Sequence, residues 1–161
     1  MTNETMVLVD NQRALRAFEK GVRELAAMWP ELEAFYAELD RAAYENYDAT
    51  RKQERDKYKA AMSEWERTKS RSWRKSSGSP PSSIDYFKSM YAYPCSRMNG
   101  PRDRRDSVKT LRDVACAAVG PYYLSRQEAQ MMVGYEDGSI LEEVRKNMES
   151  EKARREKRAA T

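Results

Sequence analysis

The chain has 161 residues, 40% apolar and 35% charged, with 30 basic and 26 acidic side chains and a formal net charge of +4. That leaves room for one ordinary domain or two small helical units with a modest core, and no apolar run reaches the ~18 residues of a membrane span. Histidine is absent, which removes Ser-His and Cys-His pairs, imidazole acid–base chemistry and His metal ligands.

In chain order, residues 1–9 read as a frayed or short extended lead, acidic and without basic residues, unlike a secretory signal or transit peptide. Asp10 or Asn11 is placed to cap a first helix over 11–29, with an apolar stripe of Leu15, Phe18, Val22, Leu25 and Trp29. The stripe continues in register through Leu32, Tyr36, Leu39 and Ala43. A 3-4 repeat held over about four heptads is a coiled-coil or bundle seam. Pro30 is expected to kink or turn the chain. A turn makes a helical hairpin; a kink leaves the seam free to meet another chain.

Residues 30–75 read as one long charged helix. Pro30 suits a first helical position, Glu31 and Glu33 favour the positive end of the dipole, and no Pro or Gly follows until Gly78. Apolar residues recur at 32, 36, 39, 43, 47, 58, 62 and 65, with a polar gap around 51 and 54. Trp29 and Trp65 read as core or interface anchors.

SSGSPPSS over 76–83 has linker composition, with Ser/Pro sites open to phosphorylation beside basic residues. IDYFKSMYAYPC then reads as a short aromatic helix that docks on the core or on a partner, through Tyr86, Phe87 and Tyr91. Residues 94–106 read as a loop with Asn99-Gly100-Pro101 as turn and Arg102, Arg104 and Arg105 exposed. A helix from Asp106 or Ser107 presents Val108, Leu111, Val114, Ala115 and Ala118 and stops at Gly120-Pro121. Ser125 with Glu128 forms a capping box, and Ser139 with Glu142 a second one after the turn Asp137-Gly138. The last helix packs through Ile140, Leu141, Val144 and Met148 and ends in a charged tail. The expected partition is an N-terminal helical part over 1–75, a linker over 76–83 and a C-terminal helical region over 84–161. The fold class is all-α.

Charge is uneven along the chain: residues 1–50 carry 5 basic and 10 acidic side chains, residues 51–106 carry 15 and 7, and residues 107–161 carry 10 and 9. Arg67, Lys69, Arg71, Arg74 and Lys75 follow one another with no acid among them and Trp73 interleaved. Such a cluster suits phosphate, an acidic protein groove or an anionic membrane face, and equally a solvated helix end. Cys95 and Cys116 read as buried or half-buried thiols in a reducing, intracellular compartment. There is no CxxC, GxGxxG or phosphate loop, and the carboxylates alternate with Lys and Arg as solvated i,i+4 pairs. No catalytic residue, cofactor or metal is expected.

Tyr47, Tyr58 and Trp65 in YDATRKQERDKYKAAMSEW, with KGVRELAAMWPEL before them, resemble the last two helices of a high-mobility-group (HMG) box and its Trp-x-x-Leu turn. PPSSIDYF, Leu111, Val114, Ala118 and Leu124-Ser125 with Glu128 are a fainter second echo. The resemblance implies an L-shaped three-helix fold that binds the DNA minor groove and bends it with apolar wedges. Arg67, Lys69, Arg71 and Lys75 would then contact phosphate, and Met90 or Met98 would be a wedge. The spacing from Trp29 to Tyr47 exceeds the family pattern by about two helical turns.

Two expectations follow. The first is a non-catalytic helical subunit or adaptor, docking on a protein partner or a second copy through the seam and the aromatic segment. The second is an architectural nucleic-acid binder using Arg67 to Lys75 and Arg102, Arg104 and Arg105.

Overall fold

The computed structural model describes residues 5–71 and 78–161, without the side chains of Ser70, Arg71 and Tyr91. The chain is all-α apart from one small ribbon. Helix α1 spans Asn11–Arg71, α2 Ser83–Tyr86, α3 Asn99–Ala117, α4 Arg126–Glu136 and α5 Ser139–Ala159. Strands β1 (Val7–Val9) and β2 (Tyr122–Leu124) pair antiparallel, Leu8 opposite Tyr123. No helix among the described residues is long and apolar enough to cross a membrane. Two compact units result, Met1–Phe35 with Met98–Thr161, and Tyr36–Arg97. This differs from the expected division after residue 75: α1 serves both units, and the C-terminal helices pack with its beginning.

In the first unit, Asp10 caps α1 by accepting the Arg13 amide at 3.0 Å, as its sequence position suggests. Ala14, Ala17, Phe18 and Leu25 of α1 then pack with Val108, Leu111 and Ala115 of α3, Met132 and Tyr135 of α4, Leu141 of α5, and Val9 and Leu124 of the ribbon. Phe18 is 0% and Leu25 2% exposed, while Leu15 and Val22 are partly buried against the same core. The seam is therefore filled by the chain itself. Gly21 explains the close fit of α4: a Cβ there would lie 2.6 Å from the Tyr135 ring, which meets Phe18 edge-on at 6.4 Å.

Pro30 neither turns nor ends α1. A proline inside a helix removes one hydrogen bond and crowds the preceding turn, at about 3 kcal/mol. Leu25 on one side and Leu32 and Phe35 on the other are all buried, so side-chain packing offsets that cost.

Three further boundaries differ from expectation. Helix α3 begins at Asn99, not at Asp106, because Gly100 and Pro101 fall in a first turn, where the missing proline N–H is harmless. Gly138, in the left-handed region at φ 80°, is the N-cap of α5, so the expected Ser139–Glu142 box does not form. The Ser139 amide instead donates to Asp137 Oδ1 at 2.8 Å. The Ser125–Glu128 box does form, with both reciprocal bonds present. Tyr122–Leu124, which carries no strong strand signature, pairs because Val9 and Leu124 need cover on the core face.

In the second unit, the α1 stripe of Tyr36, Leu39, Ala43, Tyr47, Tyr58, Met62 and Trp65 is half-buried. The segment 78–97 lies against it. The expected single aromatic helix is two short turns, α2 and a 3-10 turn over Lys88–Tyr91. Tyr86 and Phe87 pack on Tyr58 at 5.8 and 5.5 Å, and Tyr93 packs on Tyr44 and Tyr47 at 5.5 and 5.1 Å.

Candidate functional site

The polar gap in the α1 stripe lies where the 78–97 segment is tied down. Glu54 accepts the Ser89 amide at 3.1 Å and also the Ser89 hydroxyl. One end of the segment is held by Asp40, which accepts the Ser96 hydroxyl and the Arg97 amide, each at 2.6 Å. At the other end the Trp65 indole donates to the Gly78 carbonyl at 2.9 Å. Arg51, the second gap residue, places its guanidinium carbon 5.3 Å from the centre of the Phe87 ring. A carboxylate and a cation thus stand where a helix seam would carry leucines, because a short, aromatic, turn-rich segment needs acceptors for its amides as well as apolar cover.

Beside this contact is a hollow of about 200 Å³ lined by Arg51, Ser83, Ile84, Phe87 and Met90. Ile84 is 78% and Met90 51% exposed. A second hollow of about 280 Å³ lies between Ala43, Asn46, Tyr47 and Thr50 of α1 and Ser89, Ala92 and Pro94. Among the described residues of the first unit, Leu8 and Tyr123 are also exposed, opposed on the outer face of the ribbon.

The residues expected to meet a partner divide into two groups. Phe18 and Leu25 are enclosed in the chain's own core, and Leu15 and Val22 lean on it, so the seam is not a docking surface here. Trp29 is half-buried, with the Arg105 guanidinium stacked 4.0 Å from its ring centre. Tyr86 and Phe87 are half-buried on α1, at the edge of the first hollow. The Tyr91 side chain lies outside the described residues. Met90, like Tyr93, belongs to the aromatic run that the sequence marks, whereas Ile84, the most exposed of the three, carries no distinct sequence signal.

Among the basic residues, Arg67 is bonded to Glu64 at 2.6 Å, which raises its pKa, and Lys69 sits 4.8 Å from the Trp65 ring centre. The Arg71 side chain, Arg74, Lys75 and Trp73 lie outside the described residues. Arg102 is exposed, but Arg104 and Arg105 are half-buried, since α3 begins earlier than expected and carries them onto Tyr135 and Trp29. These three belong to the first unit, whereas Arg67 and Lys69 belong to the second. Cys95 and Cys116 are free and exposed, not buried as expected; Cys116 falls on an outward position of α3, and Cys95 lies in irregular chain before it.

In the second unit, burial raises the Tyr44 phenol, as the bond to Glu64 raises Arg67; the other shifts among the described residues lie in the first unit. Arg13 grips Glu136 through two bonds of 2.7 and 2.8 Å and holds its carboxyl below the usual range. The amide of Ser139 does the same for Asp137. Burial pushes the phenols of Tyr135 and Tyr122 up. Among the described residues no three Cys, Asp or Glu side chains group as metal ligands. No protein-family model, curated protein or solved structure matches the chain.

Proposed function

We propose that this chain is a non-catalytic helical interaction protein, a small subunit or adaptor that docks on a protein partner through the apolar face of the 78–97 segment. The observation that carries this reading is the exposure of Ile84 and Met90 around Phe87, on a segment held by three separate attachments to α1. Large aliphatic side chains left open on a fixed support suit a binding site, because the support needs no reordering when a partner arrives.

The second reading is an HMG-box-like architectural binder of DNA. Its support is charge: the unit Tyr36–Arg97 holds 13 basic and 9 acidic side chains, equal to the whole net excess of the chain. Against the family's pattern, α1 stays helical through Trp29–Leu32, where the resemblance implies a turn.

One pair of experiments separates the readings. Affinity capture is run with the natural chain and with the double variant Ile84→Asp/Met90→Asp, both checked for unchanged helical content. Docking through this face predicts a defined set of proteins held by the first and lost by the second. In parallel, anisotropy is followed with a labelled 20-base-pair duplex and a four-way junction. Binding that prefers the junction and weakens about 10³-fold between 50 and 200 mM salt would favour the DNA reading instead.

A further inference from the structure

The hollow at Ile84, Phe87 and Met90 is apolar on three sides and cationic on the fourth, and that asymmetry restricts what fits it. Arg51 lines it, with its guanidinium carbon 5.3 Å from the Phe87 ring centre. Its Nη1 is shielded from solvent and meets no hydrogen-bond acceptor among the described residues. A shielded guanidinium nitrogen without an acceptor costs free energy, and the planar fork of a half-buried arginine that lines a hollow matches a carboxylate. Glu54, one turn further along α1, accepts the amide and hydroxyl of Ser89 instead. The Ser83 hydroxyl lines the same hollow as a second donor. Asp85 and Lys88, its neighbours in sequence, are opposite in sign, so Arg51 sets the charge that a ligand meets.

From this geometry we infer that the hollow binds the C-terminal residue of a partner polypeptide, taking its free α-carboxylate on Arg51 and its apolar side chain between Ile84, Phe87 and Met90. The proposal deepens the docking reading above and rests on it. Arg51 and the apolar residues Ile84, Phe87 and Met90 line one hollow, and only at a chain end do a carboxylate and an apolar side chain share one Cα. An internal Asp or Glu carries its carboxylate at the tip of the side chain, and a neighbouring residue must then supply the apolar group. A volume of about 200 Å³ suits a single residue of leucine or phenylalanine size.

The test uses the full chain and two fluorescein-labelled tetrapeptides ending in leucine, one with a free C-terminal carboxylate and one with a C-terminal amide, followed by anisotropy. The free acid is expected to bind about tenfold or more tightly than the amide, as loss of a charge-assisted hydrogen bond implies. Arg51→Gln should bring the acid down to the amide's affinity, Arg51→Lys should restore part of the difference, and Ile84→Ala should weaken both peptides. Equal binding of acid and amide that still depends on Ile84 would overturn the carboxylate role and leave the docking face standing. Octanoate binding at Arg51 with neither peptide bound would also overturn it, assigning the hollow to small carboxylates. If neither peptide binds while capture by the natural chain still depends on Ile84 and Met90, the chain-end proposal falls alone. If that capture also fails, both readings fall.

Discussion

Single residues decide how tightly the first unit closes. Gly21 is a strict case, since a Cβ there meets three atoms of the fully buried Tyr135 ring at 2.6 to 2.9 Å. Alanine would gain about 1 kcal/mol in helix propensity but would force a ring or a helix to shift, at about 1–3 kcal/mol or more. Gly134→Ala meets Cδ1 and Cγ1 of Ile140 at 2.6 Å, but that side chain is only half-buried and has more room to shift. Both variants should therefore lower the melting midpoint, Gly21→Ala by more than Gly134→Ala. The same logic separates two aromatics. Phe18→Ala should cost about 3–5 kcal/mol as a fully buried truncation. Trp65→Ala should cost about 1 kcal/mol, one exposed hydrogen bond and a cation contact. From the sequence Trp65 reads as a core or interface anchor, but it is half-buried towards the end of α1, where its indole meets the Gly78 carbonyl and Lys69. Denaturant titration of the two variants would show whether their costs are so unequal.

At the scale of elements, sequence periodicity made the helices legible, and their ends were legible only where side chains cap them. Asp10 and the Ser125–Glu128 box lie where the sequence places them, since those caps are local chemistry. Of the two outcomes expected at Pro30 the helical turn-back is absent, since α1 runs on through it, and Asn99-Gly100-Pro101 serves as a first helical turn rather than a loop. As α1 is already helical through the exposed Pro30, Pro30→Ala should stabilise the chain by about 1–3 kcal/mol. A drop in midpoint would mean instead that the proline sets a real boundary. The close of α4 has a pH signature. Arg13 holds the carboxyl of Glu136 low, and the Ser139 amide holds that of Asp137 low. A depressed folded pKa adds stability that is complete above the unfolded value, about 4.3 for Glu and 3.9 for Asp, and is lost as pH falls through the lowered folded value. Midpoints measured between pH 6 and pH 2.5 should fall less steeply for Glu136→Gln than for the natural chain; parallel curves would assign no linkage to the pair.

For the whole molecule, the central point is what fills the seam. The 3-4 repeat from Leu15 to Ala43 reads equally as a coiled coil with another chain or as an internal core. The choice was not legible because the cover of its first part, Leu15 to Leu25, comes from residues about a hundred positions away: Val108, Leu111, Met132, Tyr135 and Leu141. The gap at 51 and 54 was legible as a gap, but its meaning was not. Arg51 and Glu54 stand there to hold a segment whose contacts depend on the folded chain. With the first part of the seam closed from within, Ile84 and Met90 are among the apolar residues left open, and they carry the docking face proposed above. The most direct test is thermal unfolding by circular dichroism from about 1 to about 100 µM, because a fold completed by a second copy melts higher at higher concentration. A self-filled seam predicts one midpoint across that range, within about 1 °C. A midpoint rising by about 5 °C or more with concentration would contradict it and assign the seam to another chain.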